Sequence, residues 1–120
     1  MSELKRRLKE MVERINETPN LLNAIKEWID GYDGKTIGFK MPSEALYIAF
    51  GKGEVRMIEG EPASFDLMLL SEEENLVDGI FKDPTRMRQY LKEGIVTIWG
   101  NMHELLKFAE IVIKSIQMGK

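Results

Sequence analysis

A short strand pattern followed at once by a long amphipathic helix most constrains what this chain can fold into. Between Gly94 and Gly100 the residues are mostly β-branched or aromatic, which is typical of a buried or half-buried strand. Asn101 then occupies the position of a helix N-cap. The apolar residues that follow recur at the three- and four-residue spacing of one helix face. They are Met102, Leu105, Leu106, Ala109, Val112, Ile113 and Ile116. Such a helix, predicted over residues 102–117, needs an apolar layer to cover.

Two further apolar residues of this helix, Phe108 and Ile111, lie off that stripe. The helix therefore carries more apolar surface than a single packing face requires. This surplus is compatible with a cavity beneath the helix, and equally with a surface for a protein partner.

Length and composition predict a single soluble domain over residues 1–120. The hydrophobic fraction of 43% and the charged fraction of 31% are those of a globular protein. A formal net charge of -3 provides no electrostatic argument for binding nucleic acid. The chain has no Cys, which excludes disulfides, thiolate metal sites and Cys nucleophiles among its own residues. No apolar run approaches ~18 residues, so we expect no stable membrane insertion, no signal peptide and a cytoplasmic location.

Apolar periodicity predicts two N-terminal helices within residues 3–30 and a sheet with short helices within residues 35–100. The second of the N-terminal helices begins with a cap-plus-proline pair at residues 18–19. Strands are predicted at 36–41, 45–50, 54–59, 65–70 and 95–99. The first three form an antiparallel meander, because strands joined by short turns usually pair with each other.

Two short helices separate the fourth and fifth strands. Ser71 and Glu74 have the spacing of a capping box, which starts the first of them. Residues 83–84, Asp-Pro, start the second, and Gly94 ends it. This element order predicts an α+β fold with helices packed on one face of the sheet.

Few residues in the sequence suggest chemistry. His103 is the only histidine, on the polar side of its helix, and one histidine cannot form a His-based metal cluster. The acidic run 72–74 suits the first turn of a helix, which favours negative charge. We therefore expect no catalytic residue, no metal and no cofactor. Four basic residues, Lys82, Arg86, Arg88 and Lys92, cluster in one segment and suit either an anionic head group or an ordinary solvated helix face.

Three segments match a known family in their order and spacing. Residues 62–73 form a strand that follows Pro-Ala and runs into a Ser-capped acidic helix start, and residues 83–84 precede a helix that carries Tyr90. Residues 94–102 form a strand that passes through Gly-Asn into the last helix. Together they resemble the sterol-carrier-protein type 2 lipid-binding domain family over about residues 1–117.

The resemblance implies a mostly antiparallel five-stranded sheet with helices on one face and an apolar tunnel between sheet and helices. Such a tunnel binds or transfers a hydrophobic lipid without chemistry: a fatty acid, a fatty acyl-CoA, or an isoprenoid or sterol-like molecule. The matched segments nominate as lipid-binding residues Leu67, Leu69, Leu76, Ile80, Phe81, Met87, Tyr90, Leu91, Met102, Leu105, Leu106 and Ala109. Each of these residues is also compatible with a solid core. Met68 and Leu70 replace polar outward positions of the family pattern, so that pattern does not determine the shape of the tunnel.

Two other functions compete with lipid binding. In the first, Phe108, Ile111 and the N-terminal helix form a protein-interaction or homodimer surface over a filled core. In the second, a small enzyme uses Asp66 or Tyr90 as an acid or base inside the apolar pocket. The alternation of the fourth strand places Asp66 on the face opposite Leu67, which argues against the second function.

Overall fold

Five helices and five strands make up residues 2–118, the part of the chain that the computed structural model describes. The helices are α1 (Glu3–Asn16), α2 (Pro19–Trp28), α3 (Glu73–Val77), α4 (Pro84–Glu93) and α5 (Met102–Met118). The strands are β1 (Lys35–Lys40), β2 (Ala45–Phe50), β3 (Val55–Glu59), β4 (Leu67–Leu70) and β5 (Thr97–Gly100). A π-helical turn, Asp78–Lys82, connects α3 to α4.

The strands form one sheet in the order β3-β2-β1-β4-β5. Strands β1, β2 and β3 pair as the predicted antiparallel meander, and β5 runs antiparallel to β4. The central pair β1–β4 is parallel, with Ile37 opposite Leu67 and Phe39 opposite Leu69. The predicted five-stranded, mostly antiparallel sheet is therefore confirmed.

The core lies between one face of this sheet and the helices. In β2 the buried residues Leu46, Ile48 and Phe50 alternate with partly buried ones, as expected of a sheet covered mainly on one side. Helices α1, α2 and α5 supply the opposing side chains. The ring of Phe50 lies between those of Trp28 and Phe108, with centroids 4.9 and 6.1 Å away. The predicted α+β arrangement is confirmed.

The fourth strand is shorter than its pattern predicts. It begins at Leu67 rather than at Phe65, because the Asp66 carboxylate accepts the Thr36 amide proton at 2.8 Å. A side chain thus takes the place of the backbone acceptor that would extend the ladder. Phe65 stands outside the strand and is exposed.

The fifth strand is also shorter. Gly94 ends α4 in the left-handed conformation at φ 77°, as predicted. The amides of Ile95 and Val96 then donate to the Tyr90 carbonyl oxygen at 2.9 and 3.2 Å. These two amides close the end of the helix, so β5 begins only at Thr97.

The predicted capping box at Ser71 is wrong. The N-cap of α3 is Glu72, and the Ser71 hydroxyl instead donates to the Ile95 carbonyl oxygen at 2.8 Å. The Glu73 carboxylate does not cap α3. It accepts the Leu4 amide proton at 3.0 Å, in the first turn of α1. An acidic residue that suited one helix start locally therefore caps another helix in the fold.

The buried face of α5 is rotated from the predicted one: it keeps Leu105 and Val112 but not the whole predicted stripe. Phe108 and Ile111, which lie off the predicted stripe, are 1% and 4% exposed. Three members of that stripe face solvent: Met102, Leu106 and Ile113 are 46%, 59% and 41% exposed. A partner surface built on Phe108 and Ile111 is therefore wrong, because both side chains are in the core.

A buried acidic residue explains this rotation of α5. Glu104 lies one turn before Phe108, and its carboxylate is 3.2 Å from the Lys35 ammonium and accepts the Trp28 indole proton at 2.9 Å. These contacts hold the first turn of α5 against β1 and α2 and direct Phe108 and Ile111 inward. Asn101 caps this turn as predicted, accepting the His103 amide proton at 2.9 Å.

None of the helices in residues 2–118 combines the length and the hydropathy needed to span a bilayer.

Candidate functional site

An apolar cavity of about 500 Å³ lies between α4, α5 and the π-helical turn. Its lining residues are Gly79, Ile80, Met87, Arg88, Leu91, Lys92, Met102, Leu105, Leu106, Phe108, Ala109, Val112 and Ile113. All of them are apolar or glycine apart from Arg88 and Lys92. The space is therefore suited to a hydrophobic molecule.

The cavity has a buried floor and an exposed wall. The floor includes the buried side chains of Ile80, Met87 and Phe108. The wall is formed on α5 by Leu106 and Ile113, which are among the most exposed large apolar side chains of the described residues. Exposed apolar side chains beside an apolar cavity are a common mark of a ligand-binding groove.

Helix α4 is capped at both of its ends. At the start, Asp83 accepts from the Thr85 amide at 3.0 Å and from the Thr85 hydroxyl at 2.6 Å. The hydroxyl hydrogen bond lowers the pKa of Asp83 below its ordinary value, which keeps the cap ionised. At the other end, the left-handed Gly94 stops the helix. The helix face with Met87 and Leu91 is thereby held over the cavity.

The π-helical turn brings the chain close to α4. The Asp83 amide donates to the Asp78 carbonyl oxygen at 2.8 Å, the five-residue spacing of a π-helix. Gly79 in this turn has no side chain to separate the two segments, and a Cβ there would lie 3.3 Å from the Cα of Met87. The glycine thus permits the close approach that forms one end of the cavity.

The predicted basic cluster divides into two pairs. Lys82 and Arg86 lie 3.9 and 4.0 Å from the Asp78 carboxylate, and Arg86 also lies 3.6 Å from Asp83. Arg88 and Lys92 instead line the apolar cavity. The two pairs therefore have different surroundings on the same stretch of chain.

Solved structures of known proteins share this arrangement of helices and strands. The "UbiJ-SCP2 Ubiquinone synthesis protein" matches with a TM-score of 0.69 and 14% sequence identity, over 89% of this chain and 93% of that one. The sterol carrier protein domain 2 of Helicoverpa armigera matches with a TM-score of 0.65 and 21% identity, over 92% of this chain and 85% of that one. The chain has the sterol-carrier-protein type 2 fold.

The sterol-carrier fold also occurs within an enzyme. The sec-alkylsulfatase Pisa1 from Pseudomonas sp. matches with a TM-score of 0.58 and 14% identity, over 75% of this chain but 14% of that one. No protein-family model and no curated protein matches the sequence. The fold implied by the resemblance is thus confirmed, and any function has to be argued from the site.

Seven of the twelve nominated residues line the cavity of this sterol-carrier fold: Ile80, Met87, Leu91, Met102, Leu105, Leu106 and Ala109. Leu67, Leu69 and Leu76 are fully buried in the core instead, while Phe81 and Tyr90 pack partly buried against it. None of the lining residues comes from the sheet, so this cavity lies between helices rather than between sheet and helices. That the twelve residues bind a lipid stays a prediction.

Sequence reasoning did not place several lining residues. Phe108 was missed because it lies off the apolar stripe, and Gly79 because a glycine contributes no side chain to a pattern. Val112 and Ile113 belong to the stripe but lie beyond the segments matched to the family. The signal for them was present, since they continue the spacing of Leu105 and Ala109.

The ionisable candidates for catalysis lie elsewhere. Asp66 bonds to the Thr36 amide beside the sheet, and the Tyr90 hydroxyl donates to Asp78 at 3.4 Å. His103 is exposed at the start of α5. Within residues 2–118 no group of three or more His, Cys, Asp and Glu side chains is placed to hold a metal ion.

Proposed function

We propose that this protein binds a hydrophobic lipid, without enzymatic chemistry, in the cavity between α4 and α5. The observation that carries the proposal is the cavity, whose volume of about 500 Å³ is bounded by apolar side chains and an exposed wall at Leu106 and Ile113. Small-molecule sites in proteins have volumes of about 300–1,000 Å³. The sterol-carrier fold supports the same function. Fatty acids, fatty acyl-CoA and isoprenoid or sterol-like molecules are the candidate ligands.

The energetics favour an aliphatic chain as the occupant. Each methylene group removed from water contributes about 0.8 kcal/mol. A chain of ~12 carbons would therefore gain several kcal/mol after the loss of its own freedom is subtracted. It would also cover Met102, Leu106 and Ile113, whose apolar side chains are exposed. Carrying or transferring the lipid, in the predicted cytoplasmic location, extends this proposal.

The composition of the cavity supports a binding role over an acid–base enzyme. A general acid or base must reach the reacting group within hydrogen-bond distance. The ionisable residues that line the cavity are Arg88 and Lys92, and neither nominated acid or base, Asp66 or Tyr90, is among the lining residues.

Native mass spectrometry of the purified protein, followed by titration with a fluorescent fatty acid, tests the proposal. We expect a bound mass that the probe displaces, with one probe per chain. Replacement of Ala109 by Trp fills the cavity from α5 and should abolish probe binding. The matched control is Ala63→Trp, at an exposed position in the β3–β4 connection, which should bind like the wild type. A bare protein that ignores the probe, or an Ala109→Trp variant that binds it normally, would overturn the proposal.

A second candidate function is association with another protein or a second copy of the chain. The Phe65 and Trp99 rings stack with centroids 6.4 Å apart and are both exposed at the β5 edge of the sheet. An edge strand with apolar side chains is a common site of pairing. Sedimentation of the wild type and of Trp99→Lys distinguishes the cases: association that this substitution abolishes supports the surface, and a monomer at all concentrations contradicts a homodimer.

A further inference from the structure

We propose that Arg88 and Lys92 form a head-group site and that the ligand of the cavity is a lipid with an anionic head, a carboxylate or a phosphate monoester. This inference rests on the proposed lipid binding and narrows the ligand class. Neutral isoprenoids, sterols and alcohols would then bind only through their apolar parts.

The first observation is the placement of the two cations. Arg88 and Lys92 are four residues apart on α4, so they share one helix face, and both line the cavity. Like charges at this spacing destabilise a helix. Both side chains are exposed, so water screens part of this repulsion, and an anion bound by both cations would offset the rest.

The second observation is the lack of a counter-charge. Within residues 2–118, no carboxylate lies within ion-pair distance of Arg88 or Lys92. The neighbouring cations Lys82 and Arg86 are both close to Asp78. Of the four clustered cations, the two that line the cavity are thus the two without an acidic partner among the described residues.

The third observation is the contrast between this pair and the rest of the lining. The other lining residues are apolar or glycine, so the cavity has one cationic edge and an otherwise apolar surface. That division matches an amphiphile with a charged head and an aliphatic tail. A guanidinium offers paired donors to a carboxylate or phosphate, and such charge-assisted hydrogen bonds are stronger than neutral ones.

A helix-end role accounts for one of the two cations only. Lys92 lies in the last turn of α4, where a positive charge interacts favourably with the helix dipole. Arg88 lies in the middle of the helix, where that effect is small. A purely structural role therefore predicts a change in stability for Lys92→Gln and no change in ligand preference for either variant.

The experiment compares three ligands with the same tail: laurate, lauryl phosphate and lauryl alcohol, each in competition with the fluorescent probe at neutral pH. We expect the wild type to bind at least one of the two anions about tenfold or more tighter than the alcohol, the effect of one charge-assisted hydrogen bond. In Arg88→Gln/Lys92→Gln the preference for the anion over the alcohol should disappear, so that the two ligands bind about equally. Arg88→Lys/Lys92→Arg, which keeps both charges, should retain the preference. Whether carboxylate or phosphate is preferred identifies the head.

The control removes two other exposed cations, in Lys9→Gln/Lys26→Gln, so the net charge changes equally. This variant should keep the preference for the anion. A wild type that binds alcohol and anions equally would overturn the head-group site while leaving lipid binding intact. A preference that survives in Arg88→Gln/Lys92→Gln would overturn the assignment to these residues. Failure of all three ligands and of the probe would instead refute the proposed function itself.

Discussion

Glu104 is a carboxylate in the core of the fold, and its surroundings explain how it can be there. Its two oxygens meet the Lys35 ammonium at 3.2 Å and the Trp28 indole N–H at 2.9 Å. The Lys35 ammonium also lies 4.1 Å from the centroid of the Tyr32 ring. A buried charge is tolerated only when it is paired and hydrogen-bonded. This cluster therefore joins α5, β1 and the end of α2 at one point.

Glu104→Gln should be strongly destabilising. The substitution keeps the size of the side chain but leaves the Lys35 ammonium buried without a counter-charge, which typically costs about 3–5 kcal/mol. The free energy of unfolding, measured with urea by circular dichroism, should fall by that amount. Replacing Lys35 by Met in the same variant should recover a large part of the loss, because no charge is then left unpaired.

The matched control is Glu110→Gln, six residues further along α5. Glu110 lies 4.0 Å from Lys107, and both side chains are exposed. Exposed pairs of this kind contribute about 0–1 kcal/mol. If Glu104→Gln and Glu110→Gln had the same small effect, the buried cluster would not determine how α5 is held.

At the scale of the element, α5 shows why periodicity alone did not predict the buried face. The helix has apolar residues around most of its circumference, so several stripes at three- and four-residue spacing fit the same sequence. The contacts of Glu104 select one of them and turn Phe108 and Ile111 inward. Those partners, Lys35 and Trp28, are distant in the sequence, and a local pattern cannot reveal them.

Two isoleucines on this helix should respond differently to the same substitution. Ile111→Lys places a charge in the core without a partner and should lower the free energy of unfolding by about 4 kcal/mol or more. Ile113→Lys affects a 41% exposed side chain on the cavity wall and should change stability by about 1 kcal/mol or less. Denaturant unfolding of both variants checks the expected difference in their free energies of unfolding. Ile113→Lys should also weaken probe binding, and equal stability of the two variants would contradict the observed rotation of α5.

The strands were predictable to different degrees for a similar reason. The bounds of β2, Ala45–Phe50, follow directly from its residue pattern, because hairpin partners are adjacent in the sequence. The parallel partner of β4 is β1, with Leu67 opposite Ile37 about thirty residues earlier. This long-range pairing places Leu67 and Leu69 in the centre of the core, whereas the sequence nominated them for the lipid site. Most of the nominated residues of α4 and α5 do line the cavity, since both helices border it.

At the scale of the whole molecule, the cavity is set apart from the sheet core. Helix α4 packs mainly on the π-helical turn, whereas α1, α2 and α5 close the core over the sheet. Phe108 and Val112 of α5 belong to both the sheet core and the cavity lining, since they are buried in the core and also line the cavity. A ligand in the cavity would consequently contact α4 and the π-helical turn on one side and the α5 part of the core on the other.

Ligand binding should therefore raise the stability of the whole fold and protect α4 in particular. A ligand that binds the folded chain alone, at one hundred times its Kd, adds about 2.7 kcal/mol to the free energy of unfolding. For a chain of this size we expect Tm to rise by about 10 °C, measured by differential scanning calorimetry with laurate. Hydrogen exchange should slow in Pro84–Glu93 and Asp78–Lys82 more than in β1 and β2, because only the former border the cavity. Ala109→Trp should show neither response. A rise in Tm with protection confined to the sheet would mean that the lipid binds between sheet and helices, and the cavity between α4 and α5 would then not be its site.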